Sequence, residues 1–396
     1  MPLRTDSAVF VVLLGALTAI GPLSIDIYLP SLPSIAEGFH ATPAGAEATI
    51  TGYFIGFAIA QILHGPISDR LGRRPVLLVG LACYTAAAFL CVFAPTIATL
   101  VAARVIQAVA AAAPIILART IVRDVHSGVR AGRLFSLMAS ITGLMPIVAP
   151  LAGGALQARF GWQSNFVVMG GLGAAAFLAV LYALPETLAQ KSSEPMTITG
   201  ILTSFRHVLA DARFRVYASV LGLSYAGLFT YIGVSSFIVQ DFYGLSPVGY
   251  GVMFAAGAGF FIAGTFIGRR LAQRSGLDAA IGFGAVLLAI GGVALPLAVA
   301  FGPHHILGFF VPMAIFQTGI GVATPQALAA AVTPFPERAG AASSLAGFMQ
   351  MSVAAILLGI TGSVFGGSAA LEAIVVGGAG VAAFAVFVGF PRARYS

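Results

Sequence analysis

The sequence predicts an all-α polytopic membrane protein with twelve transmembrane helices in two six-helix halves. Charged residues are scarce, since 20 basic and 13 acidic residues make up 8% of the 396, against about 25% in soluble domains. Hydrophobic residues contribute 59%, and the mean hydropathy is +0.99. A water-soluble fold of this length could not cover its surface with so few polar groups. Apolar runs of about 20 residues, long enough to cross a bilayer, recur along the chain.

Six apolar runs separated by Pro, Gly and charged clusters form the first half. The first run is interpreted as a retained span, because no small-residue cleavage site follows it and it continues into Pro22 and Asp26. The predicted spans are Ala8 to Leu29, Ala46 to Ile67, Pro75 to Phe93, Ile97 to Ala118, Leu134 to Leu156 and Ser164 to Leu184.

A polar stretch from Pro185 to Arg215, with the lone lysine Lys191, separates the halves. The predicted organisation is an N-terminal six-helix half over 1–185, a cytoplasmic linker over 186–215 and a C-terminal six-helix half over 216–396. The spans of the second half are Val216 to Ile238, Val248 to Ile267, Ala279 to Ala300, Leu307 to Ala329, Ala341 to Gly362 and Ala370 to Phe390.

The positions of the basic residues predict the orientation of the spans. With both termini in the cytoplasm, every Lys and Arg except Arg104 and Arg159 falls in a cytoplasmic segment. The basic residues behind the net charge of +7 therefore orient the protein in the membrane. A nucleic-acid partner is not expected, since nucleic-acid binding needs basic residues clustered on one solvated face.

Cys83 and Cys91 lie about 12 Å apart along one predicted helix, too far for a disulfide, and they fit no metal-ligand spacing.

The two halves resemble each other. The loop GPISDRLGRR at Gly65 to Arg74 has a counterpart GTFIGRRLAQR at Gly264 to Arg274. Gln107 and Gln317 each precede a proline in the fourth span of their half. These matches predict a parallel repeat about an axis along the membrane normal, which gives the halves pseudo-two-fold symmetry, with a ligand site between them near the middle of the membrane.

Two charged residues within predicted spans are candidates for proton coupling. Asp26 follows Pro22 and precedes Pro30, and a charged carboxylate within a span costs about 2.5–3.5 kcal/mol, so a functional role is expected. Arg104 should lie about 10 Å below the outer boundary and needs a polar or carboxylate partner. Gln107 shares its helix face. The alternatives are that Asp26 caps a helix at the water interface and that Arg104 reaches the outer surface.

Aromatic and amide side chains recur at four-residue spacing on spans two and seven. Such stripes are typical of helix packing, but a large apolar cavity with few polar groups is also the expected site for flat, weakly polar ligands. The predicted cavity residues are Tyr28, Tyr53, Phe57, Gln61, Gln107, Tyr225 and Phe229. Glu47 and Asp241 are expected at outer helix ends and are given no role. His304 and His305 are expected in an outer loop.

The loop Gly65 to Arg74 resembles the G-x-x-x-D-R-x-G-R-R loop between spans two and three of the major facilitator superfamily. The resemblance implies the major facilitator fold and a cytoplasmic gate, in which Asp69 sits against the N-terminus of span eleven and Arg73 pairs with Asp124. Gly65 is expected to permit close helix approach. The alternative is a solvated basic loop. The predicted gate residues are Gly65, Asp69, Arg70, Gly72, Arg73, Arg74, Asp124 and Gly340.

Span five contains Pro146, Pro150, Gly153 and Gly154, which resemble the antiporter motif of that superfamily with Ala149 at its first glycine. The prolines would bend the helix and the glycines would allow a neighbouring helix to pack closely. The alternative is an ordinary kinked helix in which these residues serve packing alone. Further segments are similar to the Bcr/CflA subgroup of drug:proton antiporters, which implies export of chloramphenicol-, florfenicol- or bicyclomycin-like compounds. They are Asp26 to Pro33, Arg104 to Ala108, Arg119 to Asp124, Leu184 to Leu188 and Arg338 to Leu345.

These observations predict a secondary transporter that uses the proton gradient, without cofactor or metal. Its expected partners are small drug-like molecules, protons and the lipid bilayer, and it is expected to be a monomer in the inner (cytoplasmic) membrane. A carrier for an endogenous metabolite is the alternative with the same fold. An enzyme would need clustered carboxylates or a nucleophile with its base, a channel would need filter segments, and an ATP-driven pump would need a P-loop. The sequence contains none of these patterns.

Overall fold

A computed structural model describes residues 8–126, 128–188, 198–301, 305–365 and 369–391. Within these ranges the regular structure is helical and contains no strand. The first helices are α1 (Ala8–Asp26), α2 (Leu32–Gly38), α3 (Pro43–Leu71), α4 (Arg73–Val92), α5 (Ile97–Val125), α6 (Gly128–Phe160) and α7 (Gln163–Ala183). A 3-10 turn at Leu29–Ser31 separates α1 from α2.

The later helices are α8 (Ile198–Ala210), α9 (Ala212–Phe237), α10 (Pro247–Ser275), α11 (Leu277–Phe301), α12 (Ile306–Val332), α13 (Ala339–Phe365) and α14 (Ala369–Gly389). A π-helical turn at Ile238–Phe242 extends α9, and a 3-10 turn at Pro336–Arg338 precedes α13. In the described part of the chain, 11 helices are long and apolar enough to cross a membrane, or up to 12 if the bent pair in α3 forms one span. The predicted all-α polytopic class is therefore confirmed.

Helix caps and tolerated prolines explain several of these elements. Thr96 begins α5 with a capping box, in which its side chain accepts from the backbone N–H of Thr99. Asp211 caps α9 by accepting from Arg213 N at 2.7 Å. Pro114 and Pro22 lie inside α5 and α1, which continue through them because neighbouring groups in a helical membrane protein can satisfy the freed carbonyls.

Two compact units make up the chain. The first is Met1–Ala41 with Gly52–Met196, and the second is Thr42–Thr51 with Thr197–Ser396. In the first unit α4 packs on α5 and α7, while α1 packs on α5 and α6. In the second unit α11 packs on α12 and α14, while α9 packs on α12, α13 and α14.

The predicted linker over 186–215 contains more regular structure than its polarity indicates. α8 lies within it, and α9 begins at Ala212 rather than at Val216. Helix α8 has one strongly apolar face, and Val208 on it is buried against the core of the second unit, which stabilises a helix in an otherwise polar stretch. Lys191 and His304 lie outside the described residues. The three-part division 1–185, 186–215 and 216–396 stays a prediction.

Candidate functional site

Asp26 is the last residue of α1, and only 5% of it is exposed. The carboxylate therefore lies inside the protein and not at an open helix end. Among the described residues, no hydrogen bond or ion pair involves this carboxylate. An acidic group buried without a partner is expensive to keep charged, which makes it a candidate for reversible protonation.

Arg104, in α5, is fully buried, so its guanidinium does not reach the outer surface. Its Nη1 donates to Gln107 Oε1 at 2.6 Å, and its Nη2 donates to the carbonyl oxygen of Ser24 at 2.9 Å. The described ion pairs do not include one between Arg104 and Asp26. The partners of this cation are therefore an amide and a backbone carbonyl, not a carboxylate.

Three aromatic rings surround the Arg104 guanidinium. Its Cζ lies 4.3 Å from the ring centroid of Tyr28, 4.4 Å from that of Tyr53 and 5.8 Å from that of Phe166. These distances are those of cation–π contacts, which strengthen when the cation is removed from water. Tyr28 and Tyr53 are fully buried, so in this structure they enclose Arg104 and do not line open space. The sequence did not single out Phe166.

Further polar groups connect the Arg104 cluster to α4 and α7. The hydroxyls of Ser24 and Tyr84 are 2.6 Å apart, and both residues are buried. Gln107 donates from Nε2 to the sulfur of Met169 at 3.6 Å. The site is therefore built from α1, α3, α4, α5 and α7, and Tyr84 and Met169 are members that sequence reasoning missed because neither stands in a motif.

The remaining predicted cavity residues lie in both units. Phe57 stacks on Tyr53 with ring centroids 6.3 Å apart, and Gln61 is half-buried one turn further along α3. In the second unit the rings of Tyr225 and Phe229 are 5.6 Å apart. Gln317, which the repeat relates to Gln107, is buried and shares a hydrogen bond with Tyr231. The substrate contacts of all these residues stay predictions.

A second cluster, centred on Arg73 at the start of α4, contains the ion pair that the motif implied. Arg73 donates from Nε to Asp124 Oδ2 at 2.9 Å. Its Nη1 donates to Asp69 Oδ1 at 2.5 Å and to Ser68 Oγ at 2.7 Å. The side chain of Arg73 is buried, that of Asp124 is largely buried and that of Asp69 is about half exposed. One guanidinium therefore joins the end of α3, the start of α4 and the end of α5.

The helix N-terminus in this cluster is occupied by Glu186, which lies in the Leu184 to Leu188 segment but was given no role from the sequence. Glu186 accepts from the backbone N–H of Arg73 at 3.0 Å and of Arg74 at 3.2 Å, at the first turn of α4. It also accepts from its neighbours Thr187 N at 2.9 Å and Leu188 N at 3.0 Å. Partial burial acts to raise the pKa of Glu186, but these four hydrogen bonds outweigh burial and hold the pKa below its ordinary value.

Gly72 is required by this arrangement. Its φ of +107° is a conformation that residues with a side chain rarely adopt, and a Cβ at this position would lie 2.5 Å from Glu186 Oε2.

Gly65 differs from expectation, because no described atom lies within 4 Å of a Cβ built there. The close helix approach expected at Gly65 is therefore wrong for the described residues, since α3 meets no neighbour at that position. Arg74 donates to the carbonyl of Leu181 at 2.6 Å. Arg70 is exposed, and Gly340 is the second residue of α13.

The motif in α6 packs directly beside Asp26. Pro146 and Pro150 both lie inside the continuous helix Gly128–Phe160. A Cβ on Gly153 would overlap the carbonyl oxygen of Ile27, the residue after Asp26. Gly154 is also buried. The glycines therefore let α6 approach the chain at the end of α1.

The Major Facilitator Superfamily model matches residues 14–359. The chain belongs to the major facilitator superfamily. It is 33% identical over 356 residues to the "Uncharacterized MFS-type transporter YdgK" of Bacillus subtilis (strain 168), covering 88% of this chain and 87% of that protein. It is 27% identical over 358 residues to the "Bicyclomycin resistance protein homolog" of Haemophilus influenzae, covering 89% of each. The name of the Haemophilus influenzae relative agrees with the drug-resistance subgroup that the motifs indicate.

Solved structures show the same fold. A bacterial homologue of the human lysosomal transporter Spinster matches with a TM-score of 0.77 and 16% identity over 99% of each chain. The major facilitator fold is thereby confirmed, and this superfamily member is a multi-pass membrane carrier and not an enzyme. Within the described ranges, no group of three or more His, Cys, Asp or Glu side chains is arranged to hold a metal ion.

Proposed function

We propose that this carrier exports small, drug-like compounds in exchange for protons, with Asp26 as the proton-binding residue. The observation that supports this most directly is the burial of the Asp26 carboxylate without a described partner at the end of α1. Two relatives are named "Bicyclomycin resistance protein homolog" and "Multidrug resistance protein D". Bicyclomycin-, chloramphenicol- and florfenicol-like compounds are the substrates we propose.

The proposed cycle uses one carboxyl group for two competing events. Asp26 loses its proton to the cytoplasm, the drug binds, and the drug leaves on the outer side by alternating access. Protonation of Asp26 from outside resets the carrier, so the proton gradient supplies the energy and no cofactor is needed. Because proton and drug act on one site, each weakens the binding of the other by the same factor.

Arg104 is proposed to sense the charge of Asp26. Its guanidinium is fixed to the carbonyl of Ser24, two residues before Asp26 on the last turn of α1. A negative charge on Asp26 lowers the electrostatic energy of a nearby cation, and protonation removes that attraction. The aromatic rings of Tyr28 and Tyr53 keep the cation in place in both states.

The Arg73 cluster is proposed as the cytoplasmic gate. We further propose that the protein is a monomer in the inner membrane and that both of its termini lie in the cytoplasm. Asp69 and Asp124 both accept from Arg73, so neutralising either carboxylate weakens the cluster. We expect Asp69→Asn to shift the carrier toward the inward-facing state. Cysteine accessibility on the cytoplasmic side measures this shift, and unchanged labelling would refute the gate.

Drug accumulation tests the main proposal in cells that lack other exporters. Cells with the native chain should accumulate less of a chloramphenicol-like or bicyclomycin-like compound than cells without it, and a protonophore should abolish the difference. Asp26→Asn should abolish it without a protonophore, whereas Glu37→Gln, at an exposed carboxylate on α2, should leave it unchanged. Equal accumulation under all conditions contradicts drug export, and native export by Asp26→Asn contradicts the role of Asp26.

A further inference from the structure

Two buried carboxylates lie in the second unit, and the proposed cycle uses neither. Glu47 stands in the second turn of α3 and Glu372 in the first turn of α14, and each is only 2% exposed. The second unit contains both, since it includes Thr42–Thr51. Glu47 was expected at an outer helix end and was given no role; it lies near the start of α3, and its side chain is buried.

The carboxylate of Glu47 is seated against the backbone of α13. A Cβ built on Gly362 would lie 2.9 Å from Glu47 Oε2, so the absence of a side chain there makes the space that this oxygen occupies. Oε2 is buried and has no hydrogen-bond partner in the described structure. An ionised carboxylate oxygen without a donor is strongly disfavoured in such a place, whereas a protonated carboxyl carries its own donor.

The electrostatic surroundings of Glu47 are acidic. Glu372 is in the first turn of α14, which packs on α13, the helix whose Gly362 faces Glu47 Oε2, and the charge of Glu372 acts on Glu47. Helix α13 contains no charged residue, and Glu372 is the charged residue of α14. Asp241 is the acid of the π-helical turn after α9, a helix that packs on α13 and α14.

The basic residues of α3 and α9 lie at the helix ends opposite Glu47 and Asp241. Arg213 and Arg215 are in the first turn of α9, a helix of 26 residues that ends next to the π-helical turn containing Asp241. On α3, Asp69 and Arg70 follow Glu47 by more than 20 residues, or over about 30 Å at 1.5 Å per residue. Among the described residues, the charge that acts on Glu47 is that of the Glu372 carboxylate.

We propose that Glu47 and Glu372 together form a proton-binding site in the second unit, separate from Asp26. Two carboxylates in one buried place cannot both be ionised without strong repulsion, so the pair titrates as a unit. A hydrated proton forms an O–H bond with one carboxylate and leaves behind a water molecule, so the pair loses one negative charge. The consequence for transport, a second proton moved in each cycle, rests on the proposed antiport, whereas proton binding itself does not.

Infrared spectroscopy of the full-length protein in lipid nanodiscs tests this site. Protonated carboxyl groups give a C=O stretching band distinct from that of carboxylates. In an Asp26→Asn background we expect such a band at neutral pH, with its loss after Glu47→Gln and Glu372→Gln are added together. Glu37→Gln, at an exposed carboxylate, should leave the band unchanged.

Persistence of the band in the variant that lacks all three carboxyls, or its absence from Asp26→Asn, overturns the proposal. Gly362→Ala provides an independent variant that keeps both carboxyls, because the new Cβ crowds Glu47 Oε2. It should shift the frequency of the band, and an unshifted band in folded protein also counts against the site. The infrared band does not depend on drug export. If Asp26→Asn does not change drug export, the role of Asp26 is wrong, but the proton site of Glu47 and Glu372 is still tested by the spectra.

Discussion

The guanidinium of Arg104 donates a hydrogen bond of 2.9 Å to the carbonyl oxygen of Ser24, although the two residues are 80 positions apart in the sequence. The same guanidinium donates to Gln107 Oε1 at 2.6 Å, so two helices are joined by one buried cation. A planar fork of donors can make both bonds at once, and a single ammonium group on a flexible stem cannot reproduce that geometry.

Arg104→Lys therefore keeps the charge and loses at least one of these hydrogen bonds. A hydrogen bond to a charged group contributes about 1.5–3 kcal/mol, and we expect the free energy of unfolding to fall by that amount. Titration with SDS in mixed micelles measures it. Arg159→Lys, at an exposed arginine, is the matched control and should change stability little. Equal effects of the two substitutions would show that the hydrogen bonds of Arg104 are not stabilising.

Gly72→Ala should be more destabilising than Gly276→Ala. Both glycines have positive φ, +107° and +87°, so both substitutions introduce backbone strain of about 1–3 kcal/mol. A Cβ on Gly72 also meets Glu186 Oε2 at 2.5 Å, whereas a Cβ on Gly276 meets no described atom within 4 Å. Thermal unfolding of the purified variants measures the difference, and equal melting temperatures would mean that Glu186 moves aside without loss.

The contribution of Glu186 should depend on pH. Its pKa is held below the ordinary value of 4.5 in the folded protein, so its stabilising effect is fully present above that value. The effect is lost as the pH falls through the lower, folded-state pKa. We expect native protein to melt at a higher temperature than Glu186→Gln at neutral pH and the two melting curves to converge in acid. A constant difference across the acid range would contradict the assignment.

Gly153→Ala should destabilise the protein because its new Cβ overlaps the carbonyl oxygen of Ile27. Overpacking of this kind costs about 1–3 kcal/mol. Gly143→Ala, in the same helix and with no described atom within 4 Å, is the matched control. It should stabilise α6 by roughly 0.5–1 kcal/mol, the helix preference of alanine over glycine. Loss of folded protein from both variants would implicate α6 generally and not the contact with Ile27.

Local patterns in the sequence predicted most of the helices. The apolar run from Ala8 predicts one long helix, and α1 continues through Pro22 to Asp26, three residues before the predicted end. Helical spacing also placed Gln107 on the same face as Arg104, and the two side chains are hydrogen-bonded. Such predictions succeed because periodicity and hydropathy depend on neighbours in the chain.

Contacts between distant segments were not predictable in the same way. The Ser24 carbonyl has no sequence pattern, because every residue has a carbonyl oxygen. Glu186 lies 113 residues after Arg73 and accepts a hydrogen bond from its backbone N–H. Nothing in the residues around Glu186 indicates that pairing. Glu47 was expected at a helix end with no role, while its burial depends on packing by α13.

The bonds from Glu186 to the backbone of Arg73 and Arg74 have a mechanical consequence. Glu186 lies just beyond α7, and the bonded N–H groups belong to the first turn of α4. Tension along the departing chain is therefore applied to the base of α4 and, through Arg73, to Asp69 and Asp124. We therefore expect a pull on the chain after Glu186 to act on the Arg73 cluster as well as on α7.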